Sequence, residues 1–196
     1  LAFSNLYGVC SLKMAMQIIN RQNPGLKLRP EQMLAFAANY IGDWRIVSPD
    51  EVYSNVPSTT PMRREIVNKM LVYYNDCGGY DYVRSHQADK DFYVPAKDEL
   101  LNYAKREYFE ATRYTDAMAR YMQKKLRISD WQRKLLEIHW NIRLGDFDVQ
   151  AFMDTIDSDF PNFEITQEAI NLYTDLHNNT RLMVNRGYTA SELFRR

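Results

Sequence analysis

Apolar residues recur at three- and four-residue spacing along most of the chain, which is the period of a helix with one buried face. The first such stripe predicts one helix over residues 6–22. Its members are Leu6, Val9, Cys10, Met14 and Ile18. Asn23-Pro24-Gly25 ends this helix, because proline cannot continue the hydrogen-bond ladder. Proline is tolerated in a first helical turn, so Arg29-Pro30-Glu31 predicts a second helix that runs to about Tyr40.

The segment from Trp44 to Val47 has a different pattern, since it is short, contains β-branched residues and lies between Gly42 and Ser48-Pro49. It predicts a short strand or one arm of a β-hairpin. Two short helices followed by a strand are compatible with a winged-helix type of module. A loop packed by Trp44 would have the same pattern, so both interpretations stay open.

Most of the remaining chain is predicted to be helical. Residues 55–61 are rich in proline, serine and threonine and predict a connector, while residues 80–93 have no clear period and predict a loop with helical turns. Residues 91–95 lead into a proline and predict an extended segment. The predicted helices are residues 63–74, 98–109, 112–126, 131–144 and 146–156, followed by a final long helix over residues 166–185.

Residues 166–194 carry the most specific local signals. The semi-apolar stripe of the final helix consists of Ile170, Tyr173, Leu176, Thr180 and Met183. Gly187 follows it, where a left-handed residue ends a helix at least steric cost. Thr189 and Glu192 have the spacing of a capping box, which predicts the start of a new helix. Leu193 and Phe194 open its apolar face, so we expect the protein to continue beyond Arg196.

Composition and charge limit the class of protein. Only seven glycines and seven prolines among 196 residues disfavour both disorder and a turn-rich β fold. The 25 basic and 25 acidic residues cancel, so no global field attracts nucleic acid. Cys10 and Cys77 are too few for a disulfide framework or a structural zinc site, and we expect thiols in a reducing cytoplasm. No apolar run reaches the ~20 residues of a membrane span.

The predicted fold is therefore mainly α, a multi-helix protein with a small N-terminal helical module that carries a short strand or wing. We place this module at residues 1–56 and a helical domain at residues 61–196.

The charges are unevenly distributed although they cancel overall. Residues 119–134 are basic with Asp130 as their one acid, and residues 145–168 are acidic with no base. The basic strip consists of Arg120, Lys124, Lys125, Arg127, Arg133 and Lys134. Such a strip can contact phosphates, and the acidic run can hold a metal or a cationic partner. The simpler interpretation is that neighbouring helices turn opposite charges toward each other or toward water.

The sequence contains no recognisable catalytic motif. His86, His139 and His177 lie in separate segments, and none belongs to a His-Glu-x-x-His pattern. His139 shares a helix face with Leu135 and Ile142, which predicts a hydrogen-bonded core histidine, and His177 is predicted to be a polar surface residue. An active site assembled only in three dimensions stays open.

Two segments of the chain resemble a group of uncharacterised bacterial proteins. Residues 6–13 are similar to the helix that opens their small N-terminal module. Residues 176–194 are similar to a leader, Asn-Asn-Thr-Arg followed by Gly-Tyr-Thr-x-x-Glu-Leu, that precedes a zinc-binding SEC-C motif in many of them. This cysteine-rich tail also occurs on the preprotein translocase ATPase. The resemblance implies zinc only in a tail beyond Arg196, because the ligand cysteines are not in this sequence, and it implies no activity.

Three classes of function follow from these observations. We favour a non-enzymatic intracellular interaction domain that binds a protein partner and presents an adaptor tail. The first alternative is nucleic-acid binding through the N-terminal module and the basic strip. The second is an enzyme, which a pocket holding a histidine with a carboxylate or thiol would favour.

Overall fold

A computed structural model describes residues 1–39, 61–73, 78–105, 107–145, 147–161 and 164–195, and the backbone of residues 46–47. The described chain is mainly helical, as predicted, with one small three-stranded antiparallel sheet. Trp44, Cys77 and most of the predicted connector, residues 55–60, lie outside the described residues.

The prediction of one continuous helix over residues 6–22 is wrong, because the helix is interrupted at Gly8. Helix α1 (Ala2–Tyr7) ends there, strand β1 (Val9–Ser11) follows, and helix α2 (Leu12–Gln22) starts with Ser11 as its cap. Gly8 has a φ of 70°, and a Cβ at this position would lie 2.9 Å from the Cβ of Met183. A distant part of the chain therefore packs where the apolar stripe alone predicts a continuous helix.

The other elements of the N-terminal part are helix α3 (Pro30–Ala38) and strands β2 (Ile46–Val47) and β3 (Glu65–Val67). The start of α3 and the strand at residues 46–47 are confirmed. The helix predicted over residues 63–74 is wrong, since a 3-10 turn (Pro61–Arg63) and β3 precede a short helix, α4 (Lys69–Tyr73). Strand β3 pairs with both β1 and β2.

This arrangement has the topology of a winged helix. The element order is α1-β1-α2-α3-β2-β3 and the strand order in the sheet is β1-β3-β2. The predicted winged-helix type of module is thus compatible with the described residues up to Val67, which are 1–39, 46–47 and 61–67. Because β1 pairs with residues 65–67, this module takes in sequence beyond residue 61, and the domain division at residues 56–61 stays a prediction.

The C-terminal two thirds of the described chain is a helical assembly. Its helices are α5 (Gly78–His86), α6 (Lys97–Asn102), α7 (Arg113–Lys124), α8 (Trp131–Leu144), α9 (Val149–Asp159), α10 (Gln167–Asn178) and α11 (Ala190–Phe194). The bounds of α8 agree with the prediction, and Gly145 ends it at a φ of 98°. The prediction for residues 80–93 is a loop with helical turns, whereas these residues form a regular helix, α5, up to residue 86 and are non-helical after the turn at residues 87–89. Helix α6 is shorter than predicted.

The final helix is also shorter than predicted, because it ends at Asn178. The hydroxyl of Thr180 is buried and donates to the carbonyl of Leu176, and the chain then turns through a 3-10 segment (Met183–Asn185). Gly187 is left-handed, with a φ of 84°, but it lies in a turn that follows this segment. The capping box of α11 is present, since Thr189 and Glu192 exchange both side-chain to backbone hydrogen bonds.

Two hydrophobic clusters form the core. The larger one lies among α5, α7, α8, α9 and α10 and includes Met183. The smaller one joins α1, α2 and α3 to Leu100 and Tyr103. Residues 100–103 therefore complete the core of the N-terminal module, and α1 lies between the two halves of the chain.

Candidate interaction groove and the polar network behind it

A groove of about 740 Å³ follows one face of α8. Residues spaced by three, four and seven positions on a helix point to the same side, and α8 lines the groove in this way. Its contributing residues are Arg133, Leu136, Glu137, Trp140, Asn141 and Leu144. Neither the periodicity nor any motif indicates this groove, because residues from four separate segments build it.

The opposite wall is built by α1, the start of α4 and the chain after α6. Leu1 and Met70 provide apolar surface, with relative exposures of 60% and 44%. Ala104 and Glu107 close one side. A second concavity of about 290 Å³ shares Met70 and α8 residues with the groove, and extends it toward the start of α9.

Hydrogen bonds fix the polar floor of the groove. The amide of Asn68 donates to the side-chain oxygen of Asn5 at 3.1 Å and lies 3.4 Å from the carbonyl of Ser4. Asn5 in turn donates to the carbonyl of Tyr103 at 2.8 Å. Since Ser4, Asn5 and Asn68 all line the groove, this part of its surface is polar and internally hydrogen-bonded.

A buried cation, Arg143, contacts two residues that line the groove, Asn5 and Trp140. Arg143 is 1% exposed, and one of its terminal nitrogens donates to the backbone carbonyl of Asn5. Its guanidinium lies 4.8 Å from the ring centroid of Trp140 and 5.1 Å from that of Tyr103. Burial lowers the pKa of Arg143 to about 10, so the group stays protonated at neutral pH. Its Nε has no hydrogen-bond partner among the described residues.

A second arginine, Arg181, binds the same carboxylate, Glu110, as the hydroxyl of Tyr103. Arg181 donates to Glu110 at 2.7 Å and to Glu192 at 2.9 Å, and its guanidinium carbon lies 3.5 Å from the ring centroid of Tyr93. The hydroxyl of Tyr103 also donates to Glu110. Burial opposes protonation of Arg181, but the nearby carboxylate of Glu110 outweighs it and raises the pKa. This network joins the segment around residues 93–110 to the C-terminal turn.

The three histidines do not form a catalytic arrangement within the described part of the chain. His139 is buried as predicted, but its Nδ1 has no hydrogen-bond partner there, so the prediction of a hydrogen-bonded core histidine is wrong for this atom. Burial and the charge of Arg143 lower the pKa of His139 to about 3. His86 is exposed and His177 is half-buried, and neither lines the groove.

The basic strip divides into separate parts. Arg120, Lys124, Lys125 and Arg127 are exposed at the end of α7 and in the following loop, whereas Arg133 lines the groove. Lys134 is half-buried, and its Nζ lies 2.5 Å from Asp159 and 3.3 Å from Glu137. For Lys134 on α8 and Asp159 on α9, the interpretation that neighbouring helices turn opposite charges toward each other is confirmed.

Helix α3 occupies the position of the recognition helix in the winged-helix topology. Glu31, Gln32 and Ala35 are exposed on it, and no lysine or arginine occurs from Pro30 to Ala38. The connection from α2, residues 23–29, is longer than the roughly 3–4 residues of a compact helix-turn-helix. Because α3 carries no basic residue, its exposed face does not resemble a surface that contacts phosphates.

Nowhere among the described residues do three or more histidine, cysteine, aspartate or glutamate side chains converge as metal ligands would. In the same part of the chain, no helix is both long and apolar enough to cross a membrane. Cys10 is buried, and burial raises the pKa of its thiol. No protein-family model, curated protein or solved structure matches the chain, so the resemblance to the SEC-C group stays a prediction.

Proposed function

We propose that this protein is a non-enzymatic interaction domain that binds a helical segment of a partner protein in the groove along α8. The observation that carries this proposal is the groove itself, in which Trp140, Leu136 and Met70 form apolar walls over the fixed amides of Asn5 and Asn68. Binding grooves for amphipathic helices combine such an apolar surface with a polar rim. The lining also includes Trp140 and Arg133, and tryptophan and arginine are among the residue types that dominate interface energies.

The dimensions of the groove favour a helical segment. Its α8 wall runs from Arg133 to Leu144, which at 1.5 Å per residue is about 16 Å, or roughly three turns of a helix laid alongside. The lining also includes four charged side chains, those of Lys69, Glu107, Arg133 and Glu137. A partner segment with three or four apolar residues at helical spacing therefore fits this surface.

The location that we propose is the cytoplasm, where a buried thiol such as that of Cys10 stays reduced. If the SEC-C resemblance is correct, a zinc-binding tail beyond Arg196 would be a second contact site, and the domain would act as an adaptor.

Selection of helical segments from a displayed peptide library tests the groove directly. We expect the selected peptides to bind the purified domain with micromolar dissociation constants and to change the fluorescence of Trp140, with Trp140→Phe as the control for that signal. Leu136→Gln should weaken binding at least tenfold. Leu26→Gln is the matched control, because Leu26 is an exposed leucine between α2 and α3 that does not line the groove. Equal binding by the two variants would refute the proposal.

Nucleic-acid binding is the second candidate, and the winged-helix topology is the observation that favours it. Exposed basic residues also occur within the module, among them Lys27 and Arg29 just before α3. Because α3 itself has no base and the net charge is zero, we expect no appreciable duplex binding near physiological salt. A salt-sensitive mobility shift at micromolar protein, weakened by neutralising Lys124, Lys125 and Arg127, would establish this function instead.

A further inference from the structure

We propose that Asn141 selects the partner of the groove, and that the helical segment bound there carries an asparagine or glutamine within its apolar stripe. This inference rests on the proposed function and adds one polar residue to the partner. It follows from the hydrogen bonds of the asparagines that line the groove.

Two of the asparagines in the lining already have hydrogen-bond partners inside the protein. The side chain of Asn5 donates to the carbonyl of Tyr103 and accepts from Asn68. The side-chain oxygen of Asn68 accepts in turn from the backbone amide of Met70 at 3.0 Å. Both side chains thus use their nitrogen and their oxygen within the protein, and a partner gains little from contacting them.

Asn141 is different, because its carboxamide forms no hydrogen bond with any other residue in the described part of the chain. Asn141 is half-buried. It lies four residues after Glu137 and three before Leu144, and both of these also line the groove. This spacing directs its side chain toward the groove.

The surroundings of Asn141 are apolar. Met70, Asn141 and Leu144 line both the groove and the second concavity, so Asn141 lies where the two meet. Among the described lining residues of the second concavity, Asn141 has the one polar side chain, beside residues such as Leu71 and Phe147. A partner that covers this junction therefore removes the carboxamide of Asn141 from water and surrounds it with apolar groups.

A helical partner has to satisfy this carboxamide with a side chain. Its backbone amides and carbonyls bond to one another along the helix and are not free, and an apolar residue over Asn141 would leave donors and an acceptor unpaired. A second carboxamide donates and accepts at once. A carboxylate only accepts, an ammonium group only donates, and both lose their hydration on burial. Asparagine in the apolar seam of a coiled coil selects a partner in a comparable way.

The same peptide selection provides the test when the positions of the apolar stripe are randomised one at a time. We expect asparagine or glutamine to be enriched at one position. A selected peptide should bind about tenfold more tightly than its leucine-substituted counterpart. Asn141→Leu should reverse this order, because leucine has a similar branched shape and cannot form the hydrogen bonds. Asn178→Leu is the matched control, since Asn178 is an exposed asparagine on α10 that does not line the groove.

The outcomes separate the two proposals. Enrichment of other residue types at every position, in peptides that Leu136→Gln weakens, overturns the carboxamide partner and leaves the groove as a binding site. Failure to select any peptide that Leu136→Gln weakens overturns the groove, and the carboxamide partner with it. A carboxamide preference that persists in the Asn141→Leu variant, with an unchanged circular dichroism spectrum, overturns the assignment of this selectivity to Asn141.

Discussion

Replacing Arg181 with methionine removes the residue that ties the C-terminal turn to the middle of the chain. The guanidinium donates to Glu110 and Glu192, and also to the carbonyl of Gly187 at 3.1 Å. Methionine keeps much of the apolar stem but none of these donors. Glu110 would then retain the hydroxyl of Tyr103 as its one described hydrogen-bond donor, in a place where water reaches it poorly.

The expected loss follows from how deeply this ion pair is buried. Breaking a fully buried pair costs about 3–5 kcal/mol, because the remaining charge is left without a partner. The side chains of Arg181 and Glu110 are 11% and 20% exposed, so some water still screens them. Loss of the contact with the ring of Tyr93 adds about 0.5–1 kcal/mol. We therefore expect Arg181→Met to lower the free energy of unfolding by about 3 kcal/mol.

Urea denaturation followed by circular dichroism measures this loss, and a thermal midpoint lowered by roughly 6–12 °C should accompany it in a chain of this length. Arg181→Lys keeps the charge but cannot donate to Glu110 and Glu192 with the geometry of a guanidinium, so it should lower the free energy of unfolding by about half as much. Arg84→Met is the control, since its ion pair with Glu65 lies at 3.4 Å with the arginine 46% exposed, and exposed pairs contribute about 0–1 kcal/mol.

Two results would refute the reasoning. One is a loss below about 1 kcal/mol for Arg181→Met, which would place this pair among ordinary surface pairs. The other is a double-mutant cycle with Glu110→Gln that shows no coupling, because residues in direct contact in one network should couple by about 0.5–3 kcal/mol.

Two further predictions concern the buried turn and the buried histidine. At Gly187 a Cβ would lie 3.1 Å from the ring of Tyr7, so Gly187→Val should destabilise the protein by about 1–3 kcal/mol. Gly187→Asn should cost nearly as much, although asparagine tolerates a positive φ. Equal melting temperatures for the wild type and the valine variant would disprove this prediction. The pKa of His139 is about 3 when folded and near 6.5 when unfolded, so the unfolded state binds the extra proton between these values and stability falls as pH decreases from 6.5 toward 3. His139→Phe should flatten this fall in urea titrations at pH 7 and pH 4.5, and an identical slope for both proteins would contradict the assignment.

Helix ends that depend on neighbouring residues could be predicted from the sequence. Gly145 ends α8 and Thr112 caps α7 through bonds within a few residues, and the capping box at Thr189 and Glu192 is equally local. Glycine and threonine at these positions have a direct physical reason that no distant contact changes. At α8 this holds for the end at Gly145, whereas the side chain of Asp130 makes no capping hydrogen bond at its start.

The break at Gly8 and the end of α10 could not be predicted, because distant contacts decide both. The stripe through Leu6 and Ile18 is compatible with a continuous helix, and only distant residues explain why a glycine is needed at position 8, where a Cβ would lie 2.9 Å from Met183 and 3.2 Å from Leu71. Likewise Thr180 continues the apolar period of α10, although its hydroxyl bonds back to α10 and the chain turns away. Periodicity reports which face is buried and does not report where a partner segment interrupts the helix.

The groove could not be predicted from the sequence for a related reason. Its walls come from α1, α4, α8 and the chain after α6, and their meeting depends on the fold as a whole. Arg143 illustrates the difficulty, since an arginine near the end of a helix is expected to be exposed and to interact with the last carbonyls. In the structure it is buried, with the rings of Tyr103 and Trp140 within 5.1 Å and 4.8 Å of its guanidinium.

The two segments that carry the resemblance to the SEC-C group lie against each other in the fold. A Cβ at Gly187 would touch Tyr7 and Leu6, and the side chain of Gln87 donates to the carbonyls of both Tyr7 and Met183. A glycine in each segment, Gly8 and Gly187, is thus required by the close approach of the other segment. Their joint occurrence in one sequence therefore has a structural cause, because each segment packs where a side chain on the other's glycine would lie.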